Sequence, residues 1–175
     1  MIYKFRMISG DKKAFLRDYE IDSNQTFLAF HNLLQSNLNF DTSQLASFFL
    51  ADGNWNKGLE LTLIDMENDG GPAAIPMDSI KIKEILKERK ERLLYVYDIL
   101  NDNLFFIELM DMYPPDCTKK YPICSASIGE PPMQIEFITS SKLPIREEEN
   151  FDEFFNEFDS EDFENGSEGF DGEDE

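Results

Sequence analysis

The sequence predicts an α+β domain, a largely antiparallel sheet carrying two main helices in the order ββ-α-ββ-α-ββ-β, followed by an acidic tail with a short amphipathic helix. Three observations point there. The stretch Leu93 to Leu109, LLYVYDILNDNLFFIEL, reads as a β-hairpin apolar on both faces, which suits the centre of a sheet. Phe27, Phe30, Leu33, Leu34 and Leu38 recur at helical spacing. The charge is lopsided: residues 147–175 hold 15 of the 36 acidic residues and none of the 16 Lys and Arg, so residues 1–146 set 21 acids against 16 bases, a net of −5. One domain at 1–146 and a separate acidic segment at 147–175 follow, in a chain long enough to bury a core without staples.

In chain order, IYKFRMI at 2–8 alternates as a half-buried strand, with Tyr3, Phe5 and Met7 on one face and Lys4 and Arg6 on the other. Ser9-Gly10-Asp11 supplies turn chemistry before a second alternating run from Ala14 to Ile21. Asp22, Ser23 and Asn24 are cap-type residues for the helix that follows. Gln44 to Leu50 and Gly58 to Ile64 read as two more strands, then DMENDGGPAAIP as the longest loop. Asp78 and Ser79 are placed to cap a second helix with Ile82, Ile85 and Leu86 as its buried face. After the central hairpin come a Pro-rich irregular segment, a loop over SASIGEPP and a last strand from Met133 to Ile138.

Composition narrows the function classes. A net-negative body argues against a broad nucleic-acid-binding face, because Lys and Arg supply most of the affinity for phosphates. The one basic run, Lys81, Lys83, Lys87, Arg89, Lys90 and Arg92, is interleaved with Glu84, Glu88 and Glu91, as on a solvated face. No stretch could span a bilayer, and the N-terminal residues lack a signal-peptide apolar run, so a cytoplasmic protein is expected. Cys117 and Cys124 have neither a second pair for zinc nor redox spacing and read as structural thiols. Asp65, Glu67, Asp69 and Gly70 match the start of a calcium loop, but its twelfth position falls on Pro76, so the pattern fails. No motif calls for a cofactor or a metal.

His31 is the only histidine, on the first helix beside the apolar stripe and without a neighbouring Cys or Ser. A catalytic base needs an orienting partner, and none is visible nearby, so packing or hydrogen bonding is its expected role. With the helix and hairpin in place, residues 1–132 resemble the plasmid pRiA4b open-reading-frame-three-like family. The helix pattern Thr-Leu-x-x-Leu-His-x-x-Ile-Gln is met by Thr26, Phe27, Phe30, His31, Leu34 and Gln35, and the following helix-region pattern by Phe40, Gln44, Leu45 and Phe48. The family's aromatic-Asp motif is met by Tyr95, Tyr97, Asp98, Ile99 and Asp102, and its late Pro and Cys pattern by Pro122, Cys124, Gly129, Pro131 and Pro132. The chain departs from the family at Leu100, Asn101, Asn103 and Phe105, at Gln44, where the pattern has a second His, and at Met133-Gln134, in place of an acidic Gly-Gly. The resemblance implies no established activity; some relatives ride on mobile elements and carry resolvase labels, which is the source of a nucleic-acid alternative.

Tyr97, Asp98 and Asp102 are the polar candidates the hairpin retains. Asp98 and Asp102, with His31, could form a metal-dependent or acid-base site; as plain turn residues they would instead cap backbone N–H groups. The departures favour a non-enzymatic interaction or scaffold protein with a protein partner, bound through the body or the tail. In the tail, Phe151, Phe154, Phe155 and Phe158 fall at i, i+3, i+4 and i+7 and make an aromatic stripe if helical. That stripe either packs on the protein's own body or docks in a partner's groove, where a basic rim would complement the acids. Beyond Ser160 the Gly, Ser and acid content predicts disorder.

Overall fold

A computed structural model describes residues 1–10, 14–64 and 74–134. All of them fall in the unit Met1–Phe137. The tail, its Phe stripe and the expected boundary at residue 146 lie outside the described residues.

The elements are β1 (Ile2–Ser9), β2 (Leu16–Asp22), α1 (Phe27–Leu38), β3 (Ser47–Ala51), β4 (Lys57–Thr62), β5 (Ile75–Pro76), α2 (Ile82–Ile85), β6 (Arg92–Asp98), β7 (Asn103–Tyr113) and β8 (Ile123–Ile128). The strands make one sheet in the order β5-β4-β3-β6-β7-β1-β2-β8, so the doubly apolar hairpin β6–β7 holds the middle, as its composition predicts. Every described pairing is antiparallel except β4 with the two-residue β5. The protein is α+β.

One face of the sheet builds the main core. Tyr3, Phe5 and Met7 of β1 point into it with Tyr19, Phe48, Tyr95, Phe105 and Ile107. Helix α1 lies on this face, with the Phe30 ring stacked 4.7 Å from Phe5 and 5.4 Å from Phe48. Thr26, and not the earlier Asp22–Asn24 group, caps α1 by accepting from the Ala29 N–H at 3.2 Å. Asp22 instead closes a turn by accepting from the Asn24 amide. The first helical N–H groups are satisfied from the later chain, Phe27 by the Ile80 carbonyl and Leu28 by that of Met77. Residues 77–83 are thereby stitched to the start of the helix.

The opposite face corrects the expectation that β1 is half-buried, because β1 and β6 are buried on both sides. Ile8, Leu16, Leu94 and Val96 lie there, interrupted by charge. Cross-strand register places Asp18 of β2, Arg6 of β1, Glu108 of β7 and Arg92 of β6 side by side, an alternating row across four adjacent strands. Arg6 grips Asp18 with two bonds, at 2.9 and 3.0 Å, and Lys4 adds a third contact to Asp18 at 3.4 Å. Glu108 takes Arg92 at 3.0 Å and Lys90 at 3.1 Å. Asp18 and Glu108 are only 2% and 1% exposed, so their charges depend on these partners. Arg92 also lies over the Trp55 ring at 4.6 Å.

Two further expectations are corrected. The last described strand is Ile123–Ile128 on the edge of β2, where an irregular segment and a loop were expected, while Met133 and Gln134 are not in a strand and the rest of the expected last strand lies outside the described residues. Its Cys-Ser-Ala-Ser interior carries little strand propensity, and pairing with β2 decides the matter. The second helix is one turn, Ile82–Ile85, whose start is closed by Lys81 and Glu84 and not by Asp78 or Ser79. Lys90, at φ 72°, takes a left-handed conformation that no helix through the basic run would allow. Ile82 and Leu86 still reach the core.

Candidate functional site

The helix motif and the hairpin motif meet inside the protein. His31 and Gln35, one turn apart on α1, face Tyr95 on β6. Gln35 Nε2 donates to the Tyr95 hydroxyl at 2.6 Å, leaving the phenolic proton for His31 Nδ1 at 2.8 Å. His31 is 3% exposed, and burial holds its imidazole down, near a pKa of about 4. Burial pushes the Tyr95 phenol up. Both groups are thus neutral near pH 7, and their proton-transfer capacity is spent on each other. Gln35 Oε1 is buried with no hydrogen-bond partner among the described residues.

This arrangement sets a pH dependence. The unfolded chain, with His31 near its ordinary 6.5, takes up a proton at higher pH than the folded chain, where the value is about 4. The contribution of neutral His31 to stability is full above about pH 6.5 and declines as pH falls toward 4, by up to about 3 kcal/mol. Urea unfolding of native protein and His31→Gln across that window should show a shallower slope in the variant; equal slopes would refute the assignment.

The hairpin candidates part company. Asp98 is buried and serves the turn, accepting from the amides of Leu100 and Asn101 at 3.2 and 3.3 Å and from the Asn101 side chain at 2.6 Å. Asp102 sits in the left-handed region at φ 54° and pairs with Lys57 from β4. Tyr97 is a core residue, its ring 4.7 Å from Phe105 and 5.3 Å from Phe40. Asp98→Ala should cost about 1–2 kcal/mol, because the turn amides lose a charged acceptor, and thermal unfolding of the variant would measure it. Among the described residues no three His, Cys, Asp or Glu side chains are grouped to hold a metal ion.

The basic run is largely engaged. Arg89 pairs with Asp111 at 2.6 Å, Lys90 and Arg92 with Glu108, and the Lys87 ammonium donates to the Lys83 carbonyl. No helix among the described residues is long and apolar enough to cross a membrane. The pairing of His31 and Gln35 with Tyr95 had no local signal, since 64 residues separate His31 from Tyr95. Only the joint appearance of both motifs in the family pattern hinted at it.

Comparison with known proteins gives two findings. The family model described as plasmid pRiA4b ORF-3-like protein matches residues 2–166. Among solved structures, the chain is similar to a protein of unknown function from Methanosarcina mazei Go1, with a TM-score of 0.60 and 19% identity over 72% of this chain and 68% of that one. That likeness is one of fold. No curated protein matches the chain.

Proposed function

This chain belongs to the plasmid pRiA4b ORF-3-like family, and we propose that it is a non-enzymatic interaction or scaffold protein that binds a protein partner through its body or its acidic aromatic tail. The observation that carries this reading is the commitment of the motif side chains to the fold itself. His31, Gln35 and Tyr95 clasp helix to sheet, and Asp98 closes the central turn. A base held near a pKa of about 4 and bonded to a buried phenol is poorly suited to acid-base work at neutral pH. The tail supports the reading by sequence alone, since Phe151, Phe154, Phe155 and Phe158 interspersed with acids would suit a partner groove with a basic rim. A cytoplasmic location fits Cys117 and Cys124, both free thiols.

The test is a pull-down from the source cell's lysate with the full-length chain, beside a full-length variant in which Phe151, Phe154, Phe155 and Phe158 are all changed to Ser. The native chain should retain a protein partner at physiological salt. Loss with the Ser variant would assign the contact to the tail, and retention would assign it to the body. Recovery of nothing above bare resin would sink the proposal.

A further inference from the structure

The two edges of the sheet are built differently. At the β5 end the edge strand is two residues long and contains Pro76, and the stretch of β4 beyond it carries Lys57 and Glu60. Short length, Pro and charge are what keep an edge from pairing with another chain. At the opposite end β8 runs for six residues, Ile123–Ile128, with neither charge nor Pro, and among the described residues it pairs with β2 alone. Its outer row of backbone N–H and C=O groups is a template for one more strand.

The strand also reads nearly the same in both directions. Tyr19 lies opposite Cys124 and Asp18 opposite Ala126, so Ser125 is the extra residue of a bulge. With Ser125 set aside the run is Ile-Cys-Ala-Ser-Ile. The bulge turns Ile123 and Ile128 to one face of the sheet, that of Glu20 and Leu16, while Cys124 and Ser127 share the other with Tyr19 and Arg17. In an unbulged strand, residues at such odd spacing would point to opposite faces.

We propose that β8 is the surface on which a second copy of this chain docks, antiparallel to the first across a two-fold axis at Ala126, joining the two sheets into one. In that register Ala126 meets Ala126 of the other copy, Cys124 meets Ser127 and Ile123 meets Ile128. Each pair then combines residues of one face, as a two-fold axis through the sheet requires, and the bulge is what makes this so. The flanking charges agree. Lys120 before the strand and Glu130 after it are both exposed, and antiparallel pairing brings the base of each copy toward the acid of the other; the adjacent Lys119 is already held by Glu20 at 3.4 Å. The net charge of −20 opposes association, but β8 itself is neutral, residues 1–146 carry only −5, and exposed charges farther apart than about 8 Å are largely screened at physiological salt. The inference is independent of the partner reading above, since it calls for no second protein.

The test is sedimentation of purified full-length protein across the micromolar range, beside Ser127→Lys, which changes an exposed side chain and adds the charge that commonly guards an edge. Native protein should form dimers, and Ser127→Lys should weaken them about tenfold or more at an unchanged melting temperature. Register is read separately. Ala126→Cys in a chain with Cys117→Ser and Cys124→Ser places one thiol on the axis, and mild oxidation should give a covalent dimer faster than in a Cys124→Ser chain, whose one thiol is the exposed Cys117. If Ser127→Lys fails to fold, this cross-linking decides alone. A monomer at every concentration, as when the 133–138 stretch of the same chain covers the edge, would overturn the proposal. So would dimers that a folded Ser127→Lys leaves intact, or an Ala126→Cys chain that cross-links no faster than the control. None of these results bears on the pull-down, so the two proposals fail separately.

Discussion

Arg6→Met is expected to destabilise the domain by about 3–5 kcal/mol, a fall in melting temperature of roughly 10 °C for a chain of this size. The guanidinium holds both oxygens of Asp18, which is 2% exposed, and it stands in register beside Glu108, which is 1% exposed. Methionine fills much of the same volume but leaves two buried carboxylates next to an apolar side chain. Among the described residues Lys4 is then the cation left on Asp18, at 3.4 Å and partly in water. The cost is one of stranded charge, not of a lost attraction. Adding Asp18→Leu to Arg6→Met should therefore restore part of the stability, because a buried pair replaced by apolar groups is often neutral. Urea denaturation of the native protein, the two single variants and the double variant would check this; a double variant as unstable as the sum of the singles would show that packing dominates.

Tyr95→Phe is expected to cost roughly 3–4 kcal/mol although it removes a single oxygen. That oxygen accepts from Gln35 and donates to His31, both buried on α1. Without it the Gln35 amide and the His31 ring nitrogen face hydrocarbon, and each orphaned group carries its desolvation penalty. The effect should exceed that of a tyrosine lost from the surface by several-fold. A loss below about 1 kcal/mol, the net worth of one ordinary hydrogen bond, would mean that helix and sheet repack without the clasp. Repeating the measurement with His31→Leu in the background separates the two branches.

Much of this fold was legible because certain residues leave little choice. Leu93 to Val96 and Leu104 to Ile107 are apolar on consecutive positions, so a strand there needs neighbours on both faces, and the centre of the sheet provides them. Phe27, Phe30 and Leu34 fix the helix in the same way. What escaped was set by distant partners. Lys4 and Arg6 looked like a solvent face, because the acids that bury Arg6 arrive from β2 and β7; the available clue was a charge at alternate positions in four different strands. Glu84 to Glu91 looked helical because Lys and Glu alternate as on a helix surface, yet Glu91 instead accepts from the amides of Lys87 and Glu88 and turns the chain. Of the candidate site, Asp98 behaved as its turn position suggested. Tyr95 entered only as a motif match, since phenol, imidazole and amide converge from separate elements.

The pairing of β1 with β7 has a consequence for the order of assembly. Ile2 lies opposite Tyr113 and Ser9 opposite Phe105, so β1 finds its inner neighbour only after about a hundred further residues exist. During synthesis the β1–β2 hairpin emerges with an unpaired flank, and the sheet's middle cannot close until the central hairpin arrives. β1 therefore makes its inner contacts late, and the interval of synthesis between β2 and β7 is when an open strand edge is most exposed to wrong pairing.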